Sequence, residues 1–183
     1  GQWAVGNSPL IKSLNDDGVT GVSVQKVIES FSPAFSADRM MEAVNFLADD
    51  KLKGRGIGTQ EIDMAANYIA NKFEEYGLKP GSDEGSFFQK WTQDVLDKKE
   101  IKLQNVIGLI PGKNTNLSEA VLISAHYDHL GIETEGEGET LVFFPGANDN
   151  ATGIAGLLEV GRVWSQREKA ERGLLLTAFT AEE

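Results

Sequence analysis

Cysteine is absent from the 183 residues. That removes disulfides, thiol nucleophiles and thiolate metal sites in one step. It leaves the compartment open, because oxidising surroundings permit disulfides without requiring them. Histidine is scarce as well: the chain has 2, His126 and His129, so imidazole chemistry can only come from one short segment. Basic residues are outnumbered, with 17 Lys and Arg against 28 Asp and Glu and a formal net charge of −11. Phosphate binding needs a basic footprint, so nucleic acid is excluded as a partner. Most of the acidic excess falls on amphipathic helices and in one acidic loop, where it reads as a solvated surface. No apolar run is long enough for a membrane span, and no segment reads as a signal peptide. Because the first residue is Gly1 rather than Met, a missing export signal excludes nothing, and a secreted or periplasmic setting is the expectation. A hydrophobic content of 40% over this length is ordinary for one domain with a genuine core.

Repeats, low-complexity tracts and linkers are also lacking. Residues 1–37 read as a leader that packs on the domain: Val22, Val24, Val27 and Ile28 could form a short element, but Pro9, Gly18, Gly21 and Pro33 interrupt it. From Asp38 the pattern turns helical, with Met40, Val44, Leu47 and also Met41 on one stripe. Lys53-Gly54-Arg55-Gly56-Ile57-Gly58 ends that helix in a turn. It is no phosphate loop, since no strand precedes it and the fingerprint spacing is missing. Thr59 is placed to cap the next helix, Glu61 and Asp63 favour its first turn, and Ile62, Ala65, Ala66, Ile69, Phe73 and Tyr76 form its buried face. Gly77 and Pro80 stop it. Extended segments follow at 87–91 and 101–110. Val121-Leu122-Ile123-Ser124-Ala125 and the run 173–180 are continuous and apolar, which predicts strands buried on both faces. A helix over roughly 151–166 separates them, so the two strands should be parallel members of a βαβ unit. The fold class is α/β, a mixed sheet with parallel central strands flanked by helices.

Ligands of such sheets bind beyond the carboxyl ends of the strands. Three polar groups lie there: His126-Tyr127-Asp128-His129 after one strand, Asn148-Asp149-Asn150 before the helix, and Glu182-Glu183 after the last strand. Residues two apart in a strand face one side, so Asp128 can reach a ring nitrogen of His126 and fix its tautomer, as metal-bound histidines require. Adjacent glutamates after a buried strand repel unless a cation compensates. Histidine and carboxylates suit zinc, and hydrolysis also needs a base to move a proton. Each group alone has a plainer reading, Asp149 as a helix cap and the glutamates as an exposed pair. Spacing by itself therefore leaves both readings open.

Four segments taken together resemble the M28 family of zinc exopeptidases: 52–56 with the helix behind it, 125–131, 146–153 and 178–183. They occur in the family's order and cover roughly residues 38–183, an incomplete peptidase domain truncated at its C-terminus. The resemblance implies an aminopeptidase acting on peptides through two zinc ions. It implies His126 as the ligand of one ion, Asp149 as the bridging carboxylate and Glu183 as the ligand of the other. It further implies Asp128 behind His126, Glu182 as the base that carries the proton from water to the leaving amine, and a cis bond between Asp149 and Asn150. A further aspartate and histidine ligand follow in the family beyond the point where this chain stops. The 183 residues alone are therefore expected to hold zinc weakly and to be inactive. Alternatives are a glutaminyl cyclase-like or carboxypeptidase-type member of the fold, and a non-catalytic binding module. The oligomeric state stays open.

Overall fold

A computed structural model describes residues 34–83, 85–95, 98–114, 119–135 and 140–183. The chain divides into two compact units, Gly1–Ser36 and Ala37–Glu183. The expected leader and its short element lie almost wholly outside the described residues.

Helix α1 spans Ala37–Leu47 and buries Ala43 and Leu47. Met40 and Val44 pack partly against the core, but Met41 is exposed and leaves the expected stripe. A 3-10 segment, Asp50–Arg55, leads to α2, Gln60–Glu75. The Thr59 side chain accepts from the Ile62 amide at 3.3 Å, so the cap and the acidic first turn act as expected. Ile62, Ala65, Ala66, Ile69, Ala70 and Phe73 are the buried face of α2.

Five strands form the main sheet: β1 (Lys79–Pro80), β2 (Phe88–Val95), β3 (Lys98–Ile110), β4 (Ala120–His126) and β7 (Gly173–Phe179). Their order is β1-β3-β7-β4, with β2 also paired to β3. β3 runs antiparallel to β7, and β4 runs parallel to β7. Between β4 and β7 the chain crosses over through α3, Thr152–Ser165. The sheet is thus mixed and carries the expected parallel pair.

One expectation fails. β7 is almost wholly buried, but β4 is not, and Val121 and Leu122 are about half exposed. The reason is position: β7 has a neighbour on each side, whereas β4 stands at the end of the sheet among the described residues. An apolar run marks a strand but does not tell which of its faces is covered. A second sheet, the hairpin β5 (Gly131–Glu135) with β6 (Thr140–Phe144), was not anticipated. β5 lies in the acidic loop with Ile132 as its one large apolar residue, and the short apolar run of β6, Leu141 to Phe144, was not read as a strand.

The core is one cluster. Leu47 from α1, Ile69 and Phe73 from α2, Val106 from β3, Ile154 and Leu157 from α3 and Leu176 from β7 meet in it, each at most 2% exposed. Burying each such side chain contributes about 1.5–3 kcal/mol. That cluster holds β4, β7 and α3 in register at the edge where the polar groups emerge.

Candidate metal centre

Parallel pairing brings His126 level with Phe179, so the carboxyl ends of β4 and β7 open on the same side. After β7 the backbone takes a positive φ of 60° at Ala181, and Glu182-Glu183 turn towards the end of β4. Asp149 arrives from a third direction, in the π-helical turn Ala147–Ala151 that opens α3. The bond between Asp149 and Asn150 is cis, as expected. One ligand-type atom from each of His126, Asp149 and Glu183 lies within 4.8 Å of the others.

Around His126 the distances differ by side. Nε2 is 3.1 Å from Asp149 Oδ1 and 3.6 Å from Glu182 Oε2. Nδ1 faces Asp128 Oδ1 at 3.6 Å, beyond a hydrogen bond. Both of those atoms are buried and have no partner. Asp128 is fully buried, and its other oxygen accepts the amides of Glu182 at 2.9 Å and Glu183 at 3.3 Å. Asp128 therefore faces the expected histidine and also holds the backbone of the glutamate pair.

These observations fit a cation. Among the described residues no lysine or arginine pairs with the Asp149, Glu182 or Glu183 carboxylates, which gather around His126 and His129, an arrangement that repels itself unless positive charge is added. The donor set, nitrogen and carboxylate oxygen without sulfur, suits zinc. The unpaired His126 Nδ1 and Asp128 Oδ1 need only a small approach to reach the usual spacing of about 2.7–3.2 Å. A ring drawn to an ion through Nε2 is oriented by such a bond on its far nitrogen.

Three further residues support the centre; sequence reasoning placed His129 among the polar groups at the strand ends but gave Asn105 and Arg55 no role. His129 Nδ1 lies 2.7 Å from Glu183 Oε1. Asn105 on β3 accepts the Thr180 amide at 3.2 Å and so fixes the chain just before the glutamates. Its only sequence signal is an amide inside an apolar strand. Arg55 is fully buried and donates to backbone carbonyls of the surrounding loops. Its signal was a cation inside a glycine turn, a segment read only as the end of a helix.

An open cleft of about 460 Å³ borders His126, Asn150, Thr180 and Glu182. A second, of about 470 Å³, lies beyond His129 and Glu183 and is walled by Ile57, Val95, Leu130 and Ile132.

Comparison with known proteins gives these features a context. The model of peptidase family M28 matches residues 105–183. Over that stretch the chain belongs to family M28. All of His126, Asp128, Asp149, Glu182 and Glu183 fall inside the M28 segment, and Arg55 falls outside it. Aminopeptidase YwaD of Bacillus subtilis is 35% identical over 127 residues, covering 67% of this chain and 25% of its own length. A probable zinc metalloprotease of Pyricularia oryzae is 23% identical over 99% of this chain and 35% of its own. Among solved structures, a glutaminyl cyclase of Bacteroides thetaiotaomicron superposes with a TM-score of 0.58 at 26% identity, over 79% of this chain and 46% of its own. The chain thus spans about a quarter to a third of these two curated relatives and under half of that structure. The M28 match and the sheet agree on a zinc-peptidase fold.

Proposed function

We propose that the protein carrying this domain is a zinc-dependent aminopeptidase, and that His126, Asp149 and Glu183 are ligands in its active site. The supporting observation is the meeting of those three side chains at the carboxyl ends of β4 and β7. Zinc bound there would polarise the scissile carbonyl and acidify water. The chain's own residues do the rest. Asp128 holds the amides of Glu182 and Glu183 and would orient His126 from behind once the ring closes the gap to its free oxygen. Glu182, exposed towards the cleft, takes the proton of the attacking water and delivers it to the leaving amine. Asp149 would be the shared ligand if the site holds two ions.

A second reading is favoured by the glutaminyl cyclase neighbour. Cyclisation of an N-terminal glutamine is acyl transfer to an internal amine and can use the same ligands. The natural full-length protein, loaded with zinc, separates the two. Release of the anilide from aminoacyl anilides, without cyclisation of a glutaminyl peptide, supports the aminopeptidase. The reverse result replaces it with a cyclase. Neither activity in zinc-loaded protein would point to a binding module.

A further inference from the structure

We propose that Arg55 is a positioning residue for this centre: its guanidinium fixes the Asp149 loop against the end of β4 and thereby sets how tightly the site holds zinc. The inference rests on reading the site as a metal centre.

Arg55 has no exposed surface. Nε donates to the Tyr127 carbonyl at 2.7 Å, and Tyr127 stands between His126 and Asp128. Nη1 donates to the carbonyls of Leu47 and, at 2.8 Å, Pro145. Nη2 donates to Gly146 at 2.9 Å and reaches Asp149 at 3.5 Å, the limit of a hydrogen bond. An arginine has five N–H donors in a rigid fork. Here every one is directed at a main-chain oxygen, and among the described residues no carboxylate is in contact. The Leu47 bond closes the end of α1 and would suit any buried cation. The remaining bonds all go to the two loops that deliver His126 and Asp149.

The local backbone is built for this. Lys53, Gly54 and Arg55 are all left-handed, with φ of 42°, 70° and 50°, which turns the Arg55 side chain inward. The Arg55 carbonyl in turn accepts the His129 amide at 3.2 Å, so the same residue also ties the loop after His126. Gly146 lets the fork approach: a Cβ there would stand 2.6 Å from Nη2 and 2.5 Å from the Asp149 carbonyl. Burial lowers the guanidinium to about 10, with Asp128 and Asp149 acting against that shift, so it stays charged at neutral pH beneath those carboxylates. Lysine, a point charge with three donors, cannot reproduce the planar fork.

The test measures zinc affinity by chelator competition on the natural full-length protein, with Arg55→Lys, Asp149→Asn and the double variant. Outer residues that orient ligands typically change metal affinity 10–100-fold. We expect Arg55→Lys to weaken zinc at least about tenfold, and to cause no further loss once Asp149→Asn is present. General damage to the fold would instead weaken zinc by the same factor in both backgrounds. Should Arg55→Lys fail to fold, Gly146→Ala pushes the fork off the Asp149 loop from the other side and should give the same coupled loss. Unchanged affinity in either folded variant, or an equal loss in the Asp149→Asn background, overturns the role of Arg55 alone. Failure of the natural full-length protein to bind zinc removes the metal centre itself, and the role of Arg55 with it.

Discussion

Adjacent residues beyond a strand end point in different directions, and this separates the two glutamates. Glu183 lies against His129 and is 23% exposed at its side chain, while Glu182 is 60% exposed and faces the cleft. If Glu183 is a ligand and Glu182 the base, Glu182→Gln in the natural full-length protein should lower turnover by about 10²–10⁴-fold and leave zinc content nearly unchanged. Glu183→Gln should lower both. Metal analysis beside a rate assay checks the pair, and equal zinc loss in the two variants would reverse the assignment. At this scale much of the site was legible. His126, Asp128, Asp149 and the glutamates could be picked out because they stand beyond strand ends and inside segments that resemble family M28, although spacing alone left a plainer reading open for each. Arg55 and Asn105 could not. Their partners are main-chain carbonyls and amides, and no residue pattern records where a distant backbone will pass.

Elements were legible where periodicity was strong. α2, α3, β4 and β7 lie within a residue or two of the expected spans, because caps and apolar runs act locally. The hairpin β5–β6 was not, since it is stabilised by what it lies against. Gly54 is that contact: at φ 70°, its absent Cβ would stand 2.4 Å from the Phe144 carbonyl and 2.7 Å from the Gly131 carbonyl. Both are main-chain atoms of the hairpin ends and cannot rotate away. Gly54→Ala should therefore destabilise the domain by about 2–4 kcal/mol, read as a lower urea midpoint. An unchanged midpoint would show that the turn relaxes freely. Phe73 tests the other side of the layer. It is fully buried where α2 meets β3, so Phe73→Ala should cost about 3–5 kcal/mol. A loss below about 1 kcal/mol would mean that α2 is not held by this contact.

For the whole molecule, ion binding and stability are one equilibrium. The chain carries a formal charge of −11, and its site gathers carboxylates from three separate segments around His126. Without a cation those groups repel, and the loops that hold them bear the cost. A ligand that binds only the folded state adds about 2.7 kcal/mol at a concentration of 100 times its Kd. For a domain of this size that corresponds to a rise of about 5–10 °C in melting temperature. His126, Asp149 and Glu183 together offer one ion the three protein ligands that a zinc site normally needs, whereas two ions would have to divide them. We therefore expect this chain to bind at most one zinc, to gain thermal stability as zinc is raised, and to lose that gain with a chelator. His126→Ala should melt at a zinc-independent temperature. If the reaction needs two ions, aminoacyl anilides should not be hydrolysed by the singly loaded chain. A zinc titration followed by scanning calorimetry, with an anilide assay on the same samples, tests the whole chain. Tight binding of two ions with turnover would show that these residues already form a complete centre.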